Sequence, residues 1–263
     1  MTVVLKALKA YGLLITIMLI LAGTFGGYIA GYRLDQGGIT RAGTLVLIGL
    51  PPHTNVYIDQ VRLIKVTDER TIITLTPGTH SVIIETHNYQ PWNEIFTITQ
   101  GAETNLKPIL VTEKPKGKVL EGADAAHGLA LIEAGVIPTQ SAPLSLSNGC
   151  AQAYLLGTHI VAELATTTPC ATPPPYLCSS GTDLCAPAIV YSPNGTVRSI
   201  ISFPGRDDAL IVSAGNLVYV VELDPREPQF FATLFKGPTI GTSPYSEHSI
   251  VISNSTEVIE LSL

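Results

Sequence analysis

The sequence is poor in charged residues, which make up 14% of its 263 residues against roughly a quarter in an ordinary soluble domain. Basic residues are the minority, with 15 Lys and Arg against 21 Asp and Glu, and the net charge is −6. No two Lys or Arg residues are adjacent anywhere in the chain. Because phosphate binding needs a basic footprint, this charge balance argues against a nucleic-acid partner.

Motifs that mark catalysis or cofactor binding are also absent. The chain has no Gly-x-Ser-x-Gly, no His-Glu-x-x-His, no phosphate-binding Gly-x-x-x-x-Gly-Lys and no dinucleotide-binding glycine pattern. Its six histidines are scattered. We therefore expect a protein that is not an enzyme and that holds no cofactor or metal. A hydrolase with an unrecognised site is the minor alternative.

The cysteines lack the Cys-x-x-Cys spacing of a zinc site. Four are present: Cys150, Cys170, Cys178 and Cys185. In an oxidising compartment we expect two disulfides, with Cys150 bonded into the Cys/Pro-rich insert at 165–187; the pairing stays open. The prolines of this insert cannot join a sheet interior, and we expect little apolar surface there for burial. Free, buried thiols are the alternative.

The longest uncharged run extends from Ala10 to Tyr32. A helix of this length crosses a hydrocarbon core of about 30 Å. We predict a short cytoplasmic tail at 1–9 and a transmembrane helix at 10–32. A cleaved signal peptide is the alternative, but its apolar region normally has only about 7–15 residues and ends in a small-x-small site. This run is longer and shows no clear Ala-x-Ala.

The charges that flank this run predict its orientation. Lys6 and Lys9 precede it, whereas Arg33 and Asp35 follow it at once. The positive-inside rule then favours a cytoplasmic N-terminus. We expect a single-pass protein of the cell membrane, in contact with membrane lipid, whose C-terminal part is extracytoplasmic.

Three glycines recur at intervals of four residues near the end of the run: Gly23, Gly27 and Gly31. This spacing predicts that they share one helix face, where small residues let two transmembrane helices approach closely. Self-association through this face, giving a homo-oligomer, is one interpretation. The other is that glycine is simply common in membrane helices.

Beyond the anchor, short runs rich in β-branched and aromatic residues alternate with turn residues. Their length and spacing predict an all-β sandwich or barrel. The predicted strands are Thr44–Ile48, Asn55–Ile58, Thr71–Leu75, Ser81–Glu85 and Glu94–Ile98.

The segment Pro51-Pro-His-Thr-Asn-Val-Tyr-Ile-Asp59 resembles the signature of the PEGA domain, Pro-Glu-Gly-Ala followed by a strand that ends in Asp-Gly. Leu75-Thr-Pro-Gly78 resembles the turn before that family's next strand, and Asn88-Tyr-Gln-Pro-Trp92 resembles Gly-Tyr-x-Pro-Trp. The resemblance covers residues 42–111 and implies a small β-sandwich outside the membrane, with a structural or recognition role and no catalytic residue.

The sequence departs from the family pattern at four positions. His53, Gln60 and Asn88 replace glycines, and Thr54 replaces an alanine. Asn and, less readily, His tolerate a positive φ, so two of these replacements are compatible with the family's turns.

Tyr89 and Trp92 form the aromatic end of this pattern. They have two interpretations, a binding platform or the core. We expect core packing, because a sandwich of about 70 residues needs large side chains to close.

After a charged segment at 112–118, predicted as a linker, similar hairpins recur. Ala209–Leu223 aligns without gaps on Ser249–Leu263 at an offset of forty positions, and Gln152–Leu164 is a fainter copy. A period near forty with a paired hairpin is typical of β-propeller blades, which number about four to eight in a closed propeller. We predict a partial, propeller-like domain at 119–263; an ordinary β-sandwich is the alternative.

These features predict a non-enzymatic, membrane-anchored protein of the cell envelope that presents β-domains. Its expected partner is a wall or surface polymer, or a protein. The alternative is a sensor or accessory subunit of a membrane complex assembled through the helix.

Overall fold

The computed structural model describes residues 2–29, 31–35, 38–66, 68–146, 149–165, 170, 173–178, 185–239, 241–254 and 256–263. Side chains are described throughout these ranges except at 2–10, 13, 33–35, 39 and 62–65. The described residues form 21 strands and two helices, so the predicted all-β class is confirmed. The chain makes two compact units, which are Met1–Val82 with Ile95–Pro108 and Ile83–Glu94 with Ile109–Leu263.

The first helix, α1, comprises Thr2–Ile29 and is followed by a hairpin of β1 (Tyr32–Asp35) and β2 (Gly38–Arg41). The helix therefore ends three residues before the predicted limit at Tyr32. Gly31 takes a φ of +85°, a conformation that glycine adopts without steric cost and that breaks the helix. Across the side chains that the structure describes, no helix is both long enough and apolar enough to cross a membrane.

Seven strands form two sheets in the region of the predicted sandwich, and all five predicted strands are among them. One sheet has the order β6-β3-β9, in which β3 is antiparallel to β6 and parallel to β9. The other has the order β5-β4-β7-β8. The strands are β3 (Gly43–Ile48), β4 (Asn55–Ile58), β5 (Val61–Lys65), β6 (Arg70–Leu75), β7 (Gly78–Glu85), β8 (Trp92–Ile98) and β9 (Glu103–Leu106).

The alternation of apolar side chains explains how these strands bury one face. On β8, the side chains of Trp92, Phe96 and Ile98 are buried, whereas Ile95 between them is exposed. Successive residues of a strand point to opposite faces, so the buried set shares one side. Trp92 is only 3% exposed, and the expectation that its ring belongs to the core is confirmed.

Four non-glycine residues in the described part of the chain have positive φ: His53, Asp59, Gln60 and Asn88. Their φ angles lie between +49° and +68°, in the left-handed region that costs most side chains free energy. Three of the four occupy positions at which the resemblance places a glycine. The turns that need a left-handed residue are therefore formed, although glycine is missing from them.

The turn at Asp59 is held by polar contacts to β7. The Asp59 carboxylate accepts hydrogen bonds from the Ser81 backbone N–H at 2.9 Å and from Nδ1 of His80 at 2.7 Å. The other ring nitrogen, Nε2, lies 2.8 Å from the carbonyl oxygen of Thr76. Both nitrogens of His80 thus face acceptors, an arrangement that only the doubly protonated ring satisfies.

The contacts of His80 and Asp59 shift the pKa values of both side chains. Burial opposes the charge on His80, but the hydrogen bonds to Asp59 and Thr76 outweigh it and raise the pKa of His80. Burial likewise disfavours the Asp59 carboxylate, yet the contacts with Ser81 and His80 hold its pKa below the ordinary value.

We expect this pair to make stability depend on pH. The folded pKa of His80 lies above its ordinary 6.5, so its contribution is complete below 6.5 and is lost as the pH rises through the folded pKa. The contribution of Asp59 is lost as the pH falls through its folded pKa, below 3.8. Denaturant unfolding, followed by the fluorescence of the single Trp92 between about pH 5 and 8, should show the alkaline loss. The loss of stability at alkaline pH should be smaller in His80→Gln and in Asp59→Asn than in the wild type. An unchanged dependence of stability on pH in both variants would contradict the assignment of this loss to the His80–Asp59 pair.

The second unit contains three four-stranded antiparallel sheets, with orders β11-β12-β13-β14, β15-β16-β17-β18 and β10-β21-β20-β19. The strands of the first are β11 (Leu144–Leu146), β12 (Ala151–Leu156), β13 (His159–Leu164) and β14 (Ala188–Tyr191). Those of the second are β15 (Val197–Ser202), β16 (Ala209–Ala214), β17 (Leu217–Glu222) and β18 (Phe231–Lys236). Those of the third are β10 (Gly117–Val119), β19 (Gly241–Ser246), β20 (Ser249–Ser253) and β21 (Val258–Ser262).

The three predicted hairpins are confirmed as β12–β13, β16–β17 and β20–β21. Each lies within a different sheet. One edge strand of each sheet lies beside an edge strand of another, because β15 contacts both β11 and β19. The third sheet is completed by β10 from the start of the region, which pairs with β21 near its end. The segment 112–118, predicted as a linker, thus runs into a strand.

One core joins the first two of these sheets. Buried apolar side chains of both sheets belong to it, among them Ile160, Leu210 and Tyr219. Leu177 of the Cys/Pro-rich insert is 4% exposed and packs against the same cluster. The expectation that the insert has little apolar surface to bury is wrong at this position.

A second helix, α2 (Gly122–Ala134), contacts β19, β20 and β21, and the sequence did not reveal it. Gly128 is its buried residue, and a Cβ there would lie 2.9 Å from Cγ2 of Val251 and 3.0 Å from Cγ1 of Val258. The missing side chain therefore allows the helix to approach the sheet closely. The stretch is rich in alanine and glycine and has a weak polar–apolar pattern, so periodicity could not indicate a helix.

Candidate functional site

A cleft of about 470 Å³ lies in the second unit, within the size range of ligand sites. Three separate parts of the chain line it: residues 87–89, residues 112–114 with Lys116, and residues 262–263. The first follows β7, the second precedes β10, and the third ends β21. Only the tertiary fold brings these segments together.

The first wall of the cleft is a tight turn. Asn88 has a φ of +67°, and the Tyr89 backbone N–H donates to the Thr86 carbonyl at 3.1 Å. The turn is tied to the second segment, because the Glu113 N–H donates to the Asn88 carbonyl at 2.9 Å. Tyr89 and Thr112 form an isolated β-bridge. These backbone contacts hold the main chain of Tyr89 in place at the wall of the cleft.

The opposite wall is the last strand. The Ser262 N–H donates to the Lys116 carbonyl at 3.0 Å, and the Leu263 N–H donates to the His248 carbonyl at 3.0 Å. Because β10 and β21 are paired, Lys116 lies beside this strand. The two lysines of the site are therefore carried by a segment that is fixed at both ends.

The side chains of the cleft are mainly polar and include two lysines and a histidine. Lys114, Lys116 and His87 are exposed, and Glu113 is the one acid of the lining. Tyr89 is half-buried. Chemically, this arrangement can pair with an anion and place a flat apolar group against the tyrosine ring.

A hydroxyl group in the cleft wall lacks a partner. Oγ1 of Thr112 is buried and makes no hydrogen bond within the described part of the protein. A buried polar group without a partner costs free energy. A residue of the cleft lining therefore has a hydroxyl whose hydrogen bonding the described residues do not satisfy.

A smaller cavity, of about 180 Å³, adjoins the cleft. Tyr89 and Leu263 line both. The smaller one also includes Phe203, Glu247 and His248. The two cavities are therefore neighbours within the same unit.

Two acids with raised pKa values lie elsewhere in this unit, Glu222 buried and Glu94 half-buried. Glu222 is 7% exposed, and its Oε2 accepts from the Phe230 N–H at 3.1 Å. Burial, followed by repulsion from Glu94, raises the pKa of Glu222 to about 8. Burial and the charge of Asp224 raise the pKa of Glu94 to about 7, against a smaller opposing effect of Arg226. Among the described residues, no group of three or more His, Cys, Asp or Glu could hold a metal ion.

The two predicted disulfides are formed, and the structure supplies the pairing that the sequence left open. Cys150 is bonded to Cys170, and Cys178 is bonded to Cys185. Cys150 precedes β12, and its carbonyl accepts from the Ala165 N–H at 2.9 Å. The first bridge therefore ties the insert to a sheet of the second unit, as the sequence predicted.

The three glycines proposed for helix packing are not all helical. Gly23 and Gly27 lie in α1, and a Cβ at either would meet no atom within 4 Å. Gly31 lies beyond the helix in a turn. The interpretation that all three share a helix face is wrong for Gly31, because its positive φ ends the helical geometry.

Neither a protein-family model nor a curated protein matches this chain. The cleft therefore has to be interpreted from its own residues. The sequence had assigned Lys114 and Lys116 to a linker. It had placed Tyr89 in the core with Trp92, whereas Tyr89 is half-buried and lines the cleft. The sequence feature that could have pointed to the cleft is the pair of lysines, Lys114 and Lys116, in an acidic protein. This pair alone does not identify a binding site.

Proposed function

We propose that this chain is a non-enzymatic, single-pass membrane protein of the cell envelope that binds a wall or surface polymer, or a protein, through extracytoplasmic β-domains. The observation that carries the proposal is the exposure of α1. Its large apolar side chains at residues 14, 15, 17–21, 25 and 29 are between 49% and 69% exposed. Apolar surface of this extent is unfavourable in water. The hydrocarbon of a lipid bilayer is the environment that an uncharged helical run fits.

The polar groups of α1 agree with a lipid environment. Thr16 Oγ1 donates to the Gly12 carbonyl at 2.9 Å, and Thr24 Oγ1 donates to the Ile20 carbonyl at 2.9 Å. Both hydroxyls are therefore satisfied inside the helix, as hydrocarbon requires. At about 1.5 Å per residue, the uncharged part of α1 from Ala10 to Ile29 rises by about 30 Å.

Two structural features support the finer assignment of the β-domains. The positive φ of His53, Gln60 and Asn88 occurs where a PEGA-like sandwich has glycines. The three four-stranded sheets, with neighbouring first strands and a third sheet closed by β10, support a propeller-like arrangement of three blades at 119–263. The two disulfides support an oxidising, extracytoplasmic location.

We predict that protease added to intact cells or right-side-out vesicles removes everything after Arg33. The reason is that the lysines before the uncharged run favour a cytoplasmic N-terminus. Immunoblotting with tags at either end measures the result, and permeabilised cells are the control. Full protection of the C-terminal tag in intact cells would refute the orientation.

The second candidate is a sensor or accessory subunit of a membrane complex. The open space at Gly23 and Gly27 favours it, since two helices can approach at such positions. Cross-linking in native membranes distinguishes the two candidates. A fixed complex that dissociates on Gly23→Ile and Gly27→Ile would favour the subunit role.

A further inference from the structure

We propose that the cleft formed by residues 87–89, 112–116 and 262–263 binds an anionic oligosaccharide, with Lys114 and Lys116 pairing with its acidic groups and Tyr89 stacking against a sugar ring. This inference rests on the proposed function and names the class of polymer for it. The chemistry is that of a glycan bearing carboxylate, sulfate or phosphate groups.

The charge of the cleft is opposite to that of the protein. The chain carries a net charge of −6, yet Lys114 and Lys116 both line this depression and are both exposed. Lys114 lies in a bend and Lys116 directly precedes β10, so two ammonium groups are available to acidic groups of one ligand. Glu113 also lines the cleft, and its carboxylate can accept hydrogen bonds from sugar hydroxyls.

The remaining lining fits a hydroxyl-rich ligand. Tyr89 presents a ring that is half-buried and held by the turn. Asn88 and Ser262 add polar side chains to the walls, and the buried Thr112 hydroxyl has no partner in the described part of the chain. Sugars combine apolar ring faces with dense hydroxyls, which is the pattern these groups complement.

The combined size of the two neighbouring cavities favours an oligomer. The cleft of about 470 Å³ and the cavity of about 180 Å³ share Tyr89 and Leu263. A single sugar would leave part of this surface uncovered. A nucleic acid is disfavoured, because two lysines in an acidic protein do not make a phosphate-binding footprint.

The test uses the full-length chain in lipid nanodiscs and calorimetric titration with three probes: a hexamer of galacturonic acid, a neutral hexamer of galactose and poly-glutamate. We expect the uronate hexamer to bind best, with an affinity that falls as salt is raised. The Lys114→Ala/Lys116→Ala variant should weaken binding about tenfold or more, as expected for lost charged hydrogen bonds. Tyr89→Ala should weaken it by a similar factor.

The matched control is Lys118→Ala. Lys118 is exposed on β10 but does not line the cleft, so its removal should change the affinity less than twofold. Unchanged Trp92 fluorescence and intact disulfides show that each variant is folded. If a variant fails this check, Lys114→Gln/Lys116→Gln and Tyr89→Phe replace the alanine variants, and Tyr89→Phe should retain binding.

Three outcomes would overturn the inference. These are no binding of the wild-type chain to the uronate hexamer, equal loss in the cleft and Lys118 variants, or equal binding of poly-glutamate and the uronate. None of these outcomes refutes the proposed function. The protease experiment tests the membrane orientation independently of the cleft. A polymer captured from the envelope equally well by wild type and cleft variants would likewise keep the proposed function and refute this site.

Discussion

Replacing Trp92 by alanine should destabilise the protein by about 3–5 kcal/mol, the range for removing a large aromatic ring from a core. The side chain is 3% exposed and lies on the buried face of β8 with Phe96 and Ile98. Its loss removes apolar contacts and leaves a cavity that the surrounding strands cannot fill. Denaturant unfolding of the detergent-solubilised chain, followed by far-UV circular dichroism, measures the change.

Trp92→Phe separates the ring from its N–H group. Nε1 of Trp92 is buried without a hydrogen-bond partner in the described residues, so its removal should cost nothing in hydrogen bonding. We therefore expect Trp92→Phe to lose clearly less stability than Trp92→Ala. A near-neutral Trp92→Ala would mean that the ring is not part of a packed core.

Removing the bridge between Cys150 and Cys170 should cost about 3 kcal/mol by the chain-entropy argument. The two cysteines are 20 positions apart, whereas Cys178 and Cys185 are separated by 7. The shorter loop constrains the unfolded chain less, so Cys178→Ser/Cys185→Ser should cost about 2 kcal/mol. The two double variants therefore serve as controls for each other, because each removes one disulfide and keeps the other.

Mass spectrometry of the non-reduced protein, made in an oxidising compartment, provides the direct measurement. We expect the peptides of Cys150 and Cys170 to be linked, and those of Cys178 and Cys185 to be linked separately. Four free thiols would contradict both bridges and would remove one support for the extracytoplasmic location. Equal stability of the reduced and oxidised protein would contradict the energetic argument.

Local pattern determined much of this fold. The five strands predicted between Thr44 and Ile98 and the three later hairpins all occur, because a strand with one buried face needs an apolar residue at alternate positions. The sequence-based expectation of two disulfides was also met, although the pairing was open.

The sequence misjudged features whose cause lies in distant contacts. It predicted helix as far as Tyr32, but Gly31 turns the chain. It gave no sign of α2, which depends on the close approach of Gly128 to Val251 and Val258. It assigned 112–118 to a linker, although pairing with β21 makes the end of that segment a strand.

By itself the sequence determined the all-β class, the uncharged N-terminal run, the acidic balance and the cysteine content, since each follows from residue type and short-range spacing. Only the tertiary structure decided the cleft. Tyr89, Lys114 and Ser262 lie far apart along the chain, and their proximity depends on backbone hydrogen bonds between the turn at Asn88, the segment before β10 and the last strand. Such contacts depend on register and strand order, which no local pattern encodes.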